Sequence, residues 1–76
     1  MKNLRKLSEL KCGEGAKVSR LMVSGGMRRR LLDIGMSPGA EVSCIGKSPF
    51  GDPSAYFIRG FAVAIRKRDA DRVIIE

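Results

Sequence analysis

Gly25-Gly26-Met27-Arg28-Arg29-Arg30-Leu31-Leu32-Asp33-Ile34-Gly35-Met36-Ser37-Pro38-Gly39 is the stretch on which the fold turns. Met27, Leu31 and Ile34 fall at i, i+4 and i+7, with Leu32 alongside. That spacing lays an apolar stripe along one face of a helix. Ser24, or one of the two glycines after it, stands where a helix start is capped. Gly35 stands where a helix ends in a left-handed residue, and Pro38 soon forbids continuation. The spacing predicts a helix over 25–36 of about two and a half turns. An isolated helix that short is unstable in water, so packing against a sheet must hold it.

The residues on either side supply that sheet. Ala16 to Val23 reads as a first strand, with Val18 and Met22 opposed to Leu21 and Val23 in an imperfect alternation. A second strand follows Ser37-Pro38-Gly39 and puts Ala40, Val42 and Cys44 on one face. Ser48-Pro49-Phe50-Gly51-Asp52-Pro53 must be a loop, because two prolines and a glycine in six residues cannot pair continuously. Ala55 to Ile58 and Phe61 to Arg66 are strands around a tight Arg59-Gly60 turn. The small Ala62 and Ala64 suggest a face crowded by another element. Arg68 to Asp71 makes one helical turn and Val73-Ile74-Ile75 a last strand. Before all this, Leu4, Leu7 and Leu10 recur every third residue, as in one helical turn or a packed extended arm. Cys12-Gly13-Glu14-Gly15 is a turn. The expected fold is mainly β: a small, partly open barrel of about five strands, with a short helix inserted after the first long strand.

Composition bounds the chemistry. Seventy-six residues suffice for a single domain, residues 1–76, which buries only about 60% of its unfolded surface. Hydrophobic residues are 43% and charged residues 30%, as in a folded soluble domain. Fifteen Lys and Arg against eight Asp and Glu give a net charge of +7. The absence of histidine excludes Ser-His and Cys-His catalytic pairs and imidazole metal ligands. No general base, nucleophile pair or phosphate-binding glycine loop can be assembled, so no enzyme is expected. Two cysteines, Cys12 and Cys44, fall short of a structural zinc site and read as small hydrophobes of a reduced intracellular protein, with a disulfide as the less favoured alternative. Asp69 and Asp71, with Asp52, are the candidate cation ligands, but Arg68 and Arg72 beside them oppose a bound cation. No metal or cofactor is expected. The longest apolar run, Phe61 to Ile65, is too short to cross a bilayer, and the basic opening Met1–Lys6 lacks the apolar stretch of a secretory signal. A cytoplasmic location follows.

Several segments together resemble the FeoA family, small accessory proteins of bacterial ferrous iron transport. Arg30 to Gly39 is similar to that family's RL-x-x-LG-(L/M)-x-PG segment. Pro49-Phe50-Gly51-Asp52-Pro53 matches its P-x-GDP loop, and Ala64 to Ala70 resembles its ALRKxDA stretch. Leu7-Ser8-Glu9-Leu10 followed by Gly15-Ala16-Lys17-Val18 is similar to its opening, and Val73-Ile74-Ile75 to its closing strand. The resemblance runs in order along nearly the whole chain. It implies an SH3-like barrel with a helical insertion. It also implies a cytosolic partner of FeoB, a membrane iron permease with a GTPase domain. The same barrel resembles the C-terminal domain of iron-dependent repressors, so a basic nucleic-acid-binding module is the alternative. The run of arginines here departs from the family pattern.

The candidate docking residues lie on and around the inserted helix. Arg28, Arg29 and Arg30 are expected in its first turn, where the helix dipole opposes positive charge by about 0.3–1 kcal/mol each. A rule broken without visible compensation marks an interaction surface. Met27 and Met36, with Met22, bracket the same region. Methionine repacks easily against a partner; it also fills gaps in a core, the more favoured reading, with Met27 and Met36 kept as docking candidates. Phe50 at a proline-flanked loop tip is a candidate anchor. Basic residues here would also favour contact with the anionic inner leaflet. One tyrosine and no tryptophan leave poor stacking platforms for single-stranded nucleic acid.

Overall fold

The computed structural model describes residues 4–76; Met1, Lys2 and Asn3 of the basic opening lie outside the described residues. The chain begins with β1 (Arg5–Lys6) and a 3-10 turn, Leu7–Glu9, followed by β2 (Gly15–Leu21) and α1 (Gly25–Asp33). β3 (Glu41–Lys47), β4 (Ser54–Ile58), β5 (Phe61–Ile65), α2 (Lys67–Ala70) and β6 (Val73–Ile75) complete it. The strands form one antiparallel sheet in the order β1-β6-β2-β3-β4-β5. The sheet has six strands, one more than the sequence reading, because the leucine-rich start contributes a two-residue strand opposite Ile74 and Ile75.

The Leu4-Leu7-Leu10 spacing resolves into extended arm and tight turn together. Side chains three apart eclipse in a 3-10 turn. Leu7 and Leu10 are accordingly both buried, while Leu4 is exposed. The buried Tyr56 hydroxyl donates to the Leu7 carbonyl at 3.4 Å, so the phenol is not left unpaired in the core. β2 carries a bulge between Val18 and Arg20. The extra residue flips the pleat, so Val18 and Leu21 both face inward although three apart. Val23 is buried with them and Met22 is exposed. A second bulge lies between Cys44 and Gly46 of β3, where Ile45 is exposed.

Helix α1 spans nine residues, with Ser24 at its N-cap in extended backbone and no side-chain capping bond. Its end follows a Schellman pattern: Gly35 N–H donates to Leu32 O at 3.0 Å and Met36 N–H to Leu31 O at 2.9 Å. Gly35 sits at φ +97°, as the left-handed exit requires. Arg59 and Gly60, at φ +49° and +85°, make the two-residue hairpin turn that matches the twist of β4 and β5. β5 departs from expectation. Ala62 and Ala64 are exposed, so nothing crowds that face; the covered residues are Ile65 and, partly, Val63. No helix among the described residues is long and apolar enough to cross a membrane.

Candidate interaction site

Leu31 is the buried anchor of α1, and Met27 and Ile34 pack half-buried against the core. The helix faces β5 across a gap. Between them runs a groove of about 460 Å³, with Met27, Arg30 and Ile34 on one wall and Val63, Arg66 and Asp69 on the other. On its far side Met27 shares a smaller hollow with Arg68, Asp69 and Arg72. An apolar strip is thus bordered by cations from two elements that are distant in sequence.

The sequence-derived residues separate into two groups. Arg28, Arg29 and Arg30 are all exposed, and Met27 sits at the groove. Phe50 is 96% exposed at its loop tip. Met36 is corrected: it is fully buried in the core. It occupies the position after the left-handed glycine, where the side chain commonly folds back toward the last helical turn, and it joins Leu31 in the core cluster. Contrary to the expectation from sequence, the helix dipole does not oppose these arginines. Gly25, Gly26 and Met27 fill the first turn of α1, so Arg28 to Arg30 begin in its second and Arg30 lies in the last turn, where the dipole favours a cation. Arg28 reaches the Leu21 carbonyl at 3.4 Å. Arg30 shares the groove with Arg66, and Met27 meets Arg68 and Arg72, whereas Arg28 and Arg29 line a separate hollow with Gly25, Leu32 and Asp33. Sequence reading assigned Arg66, Arg68 and Arg72 no docking role, although the Arg66-Lys67-Arg68 run was its signal.

The carboxylates have structural work. Asp52 accepts the backbone N–H of Lys67 at 2.8 Å and so fixes the start of α2, fifteen residues away. Asp71 accepts from the Ser8 hydroxyl and, at 3.0 Å, from Lys67 Nζ. These two hydrogen bonds hold its carboxyl below the ordinary value of 3.8. Glu14 is lowered likewise, by the Lys11 backbone N–H and then by Arg5, whose guanidinium lies 3.3 Å away. Among the described residues no three Cys, Asp or Glu side chains converge as metal ligands. Cys12 is exposed and only Cys44 is a core thiol, so the shared reading of both as small hydrophobes holds for one of them. Burial pushes the Cys44 thiol upward.

A six-stranded antiparallel sheet with one inserted helix and a cation-bordered groove beside it defines a small SH3-like domain. The FeoA domain pattern matches residues 5–76, and the chain belongs to the FeoA family. It is similar to the iron(II) transport protein A of Clostridium thermocellum, with 38% identity and a TM-score of 0.89 over 95% of this chain and 44% of that one. It is also similar to Stenotrophomonas maltophilia FeoA complexed with zinc, described as a procaryotic SH3 domain protein. That match has 29% identity and a TM-score of 0.84, over 95% of this chain and 89% of that one. A fusion of Fe(2+) transport protein A with the Fe(2+) transporter FeoB from Porphyromonas gingivalis is 32% identical over 71 residues. Those residues are 93% of this chain but only 8% of the fusion protein. A manganese-dependent transcriptional repressor shares the fold alone, at 18% identity and a TM-score of 0.85.

Proposed function

We propose that this chain is a non-enzymatic accessory protein of ferrous iron uptake, acting in the cytoplasm by docking on the cytosolic GTPase region of a FeoB permease. The observation that carries this reading is the Porphyromonas gingivalis fusion, in which a stretch similar to this chain is covalently joined to FeoB. Fusion raises the effective concentration of two partners to the millimolar range, which is useful where they work in contact. The contact surface combines the groove of Met27 and Arg30, extended by Arg66, Arg68 and Arg72, with Arg28 and Arg29 on a separate hollow of α1, and Phe50 is a second anchor. A cationic rim around an apolar strip steers an acidic partner surface and then excludes water from it. The same charge favours the anionic inner leaflet, which would keep the domain beside its transporter.

Arg28→Glu combined with Arg29→Glu tests this. Co-purification with the permease's cytosolic domain should fall at least tenfold, while the melting temperature stays near wild type, since both side chains are exposed. Undiminished binding would remove α1 from the contact.

The nucleic-acid reading has the +7 charge and the repressor-like fold in its favour. The exposed aromatics do not support it. Phe57 pairs with Ala62 and Phe61 with Ile58 in adjacent rungs, so the two rings point to opposite faces of the hairpin and form no common stacking platform.

A further inference from the structure

Cys12 and Cys44 are 32 residues apart in sequence and adjacent in the fold. The Lys11–Glu14 turn is clamped onto β3. Gly13 N–H donates to Cys44 O at 2.8 Å, and Cys44 N–H donates to Glu14 O at 3.0 Å. An isolated bridge pairs Cys12 with Cys44, and their sulfurs stand 3.9 Å apart. Cys12 is exposed, whereas Cys44 has no exposure at all. A disulfide needs about 2.05 Å, so the sulfurs must close by about 1.9 Å. Rotation of the exposed Cys12 side chain between staggered positions moves its sulfur on that scale, with no demand on the sheet.

We propose that Cys12 and Cys44 are a reversible dithiol site whose oxidant is a low-molecular-weight disulfide. The Cys12 thiolate attacks one sulfur of that disulfide; the old S–S bond breaks, a mixed disulfide forms on Cys12, and one small thiolate leaves. Cys44 then loses its proton to solvent, and its sulfur attacks the Cys12 sulfur. The mixed disulfide breaks, the Cys12–Cys44 bond forms, and the second small thiolate leaves. Two protein thiols are oxidised and one small disulfide is reduced to two thiols. The order follows from access: a reagent in solution reaches Cys12 and not Cys44. Burial disfavours the Cys44 thiolate, which slows the second step, and its fixed place beside Cys12 offsets this. Closure would tie the N-terminal turn to β3 and enclose β2 and α1 in a covalent loop.

The test uses the full native chain with glutathione disulfide as the probe. Free thiols should fall from two to none, the mass should drop by two hydrogens with no glutathione retained, and digestion should yield a Cys12–Cys44 linked peptide. The melting temperature should rise by roughly 10 °C or more, and dithiothreitol should reverse every change. Cys44→Ala should instead retain one glutathione on Cys12, and Cys12→Ser should not react. A wild-type chain that stops at a mixed disulfide on Cys12, or loses its thiols by linking two chains, overturns the proposal. The wild-type readouts decide it even where a variant fails to fold.

Discussion

A side chain at position 35 would meet two obstacles at once. The backbone there has φ +97°, and a Cβ would overlap the stem of Arg59. Arg59 lies across that spot because its Nε donates to the Gly35 carbonyl at 3.2 Å, tying the hairpin tip to the end of α1. Gly35→Ala should therefore cost more than the roughly 1–2 kcal/mol of a left-handed alanine. Arg59→Ala removes the overlap but not the backbone strain. The alanine at 35 should then cost less in the Arg59→Ala background, read as denaturant midpoints around a double-mutant cycle. Equal losses in both backgrounds would mean that Arg59 does not press on residue 35.

At the scale of elements, the stripe Met27-Leu31-Ile34 predicts a helix, and a helix forms there, but the stripe is not evenly buried. Leu31 is 3% exposed, and Ile34, at the C-cap, is only half-buried. On the sequence alone Ile34→Asp is expected to unfold the domain. The structure moves that expectation to Leu31→Asp, which puts an unpaired charge inside a small core and should abolish the cooperative melt. Ile34→Asp should leave a folded chain with a melting temperature lower by several degrees; equal losses at both positions would show that the helix is rotated. Much of this scale was legible. Gly35 and Pro38 mark the helix end, and Arg59-Gly60 marks the hairpin, because left-handed and proline positions are written in residue type. The bulges in β2 and β3 were not legible, since an extra residue breaks the period of two without any residue type that announces it. Met36 as a docking candidate fails for a related reason. Its burial follows from the turn geometry around Gly35 and not from helical spacing.

The whole molecule is closed by contacts between its chain-distant parts, and one of them titrates. Asp71 follows α2 and holds Ser8 of the first turn and Lys67 together. Its carboxyl titrates below the ordinary 3.8 when folded. The stabilisation is therefore complete above that value and is lost as pH falls through the depressed folded one. Wild type should be more stable than Asp71→Asn at neutral pH. The gap should narrow below about pH 4 and vanish in stronger acid; a gap independent of pH would assign it to shape and not to charge. The cation-bordered groove was the least legible feature, because Arg30 comes from α1 and Arg66, Arg68 and Arg72 from in and around α2, and only the fold brings them together.

The pairing of β1 with β6 sets Arg5 directly opposite Ile75. Rung partners in an antiparallel ladder are about 5 Å apart. Both ends of the domain thus emerge at one corner. A tether attached at either end would pull from nearly the same point and leave the arginine face in the same attitude. Such a domain can be grafted before or after a larger neighbour without being turned around.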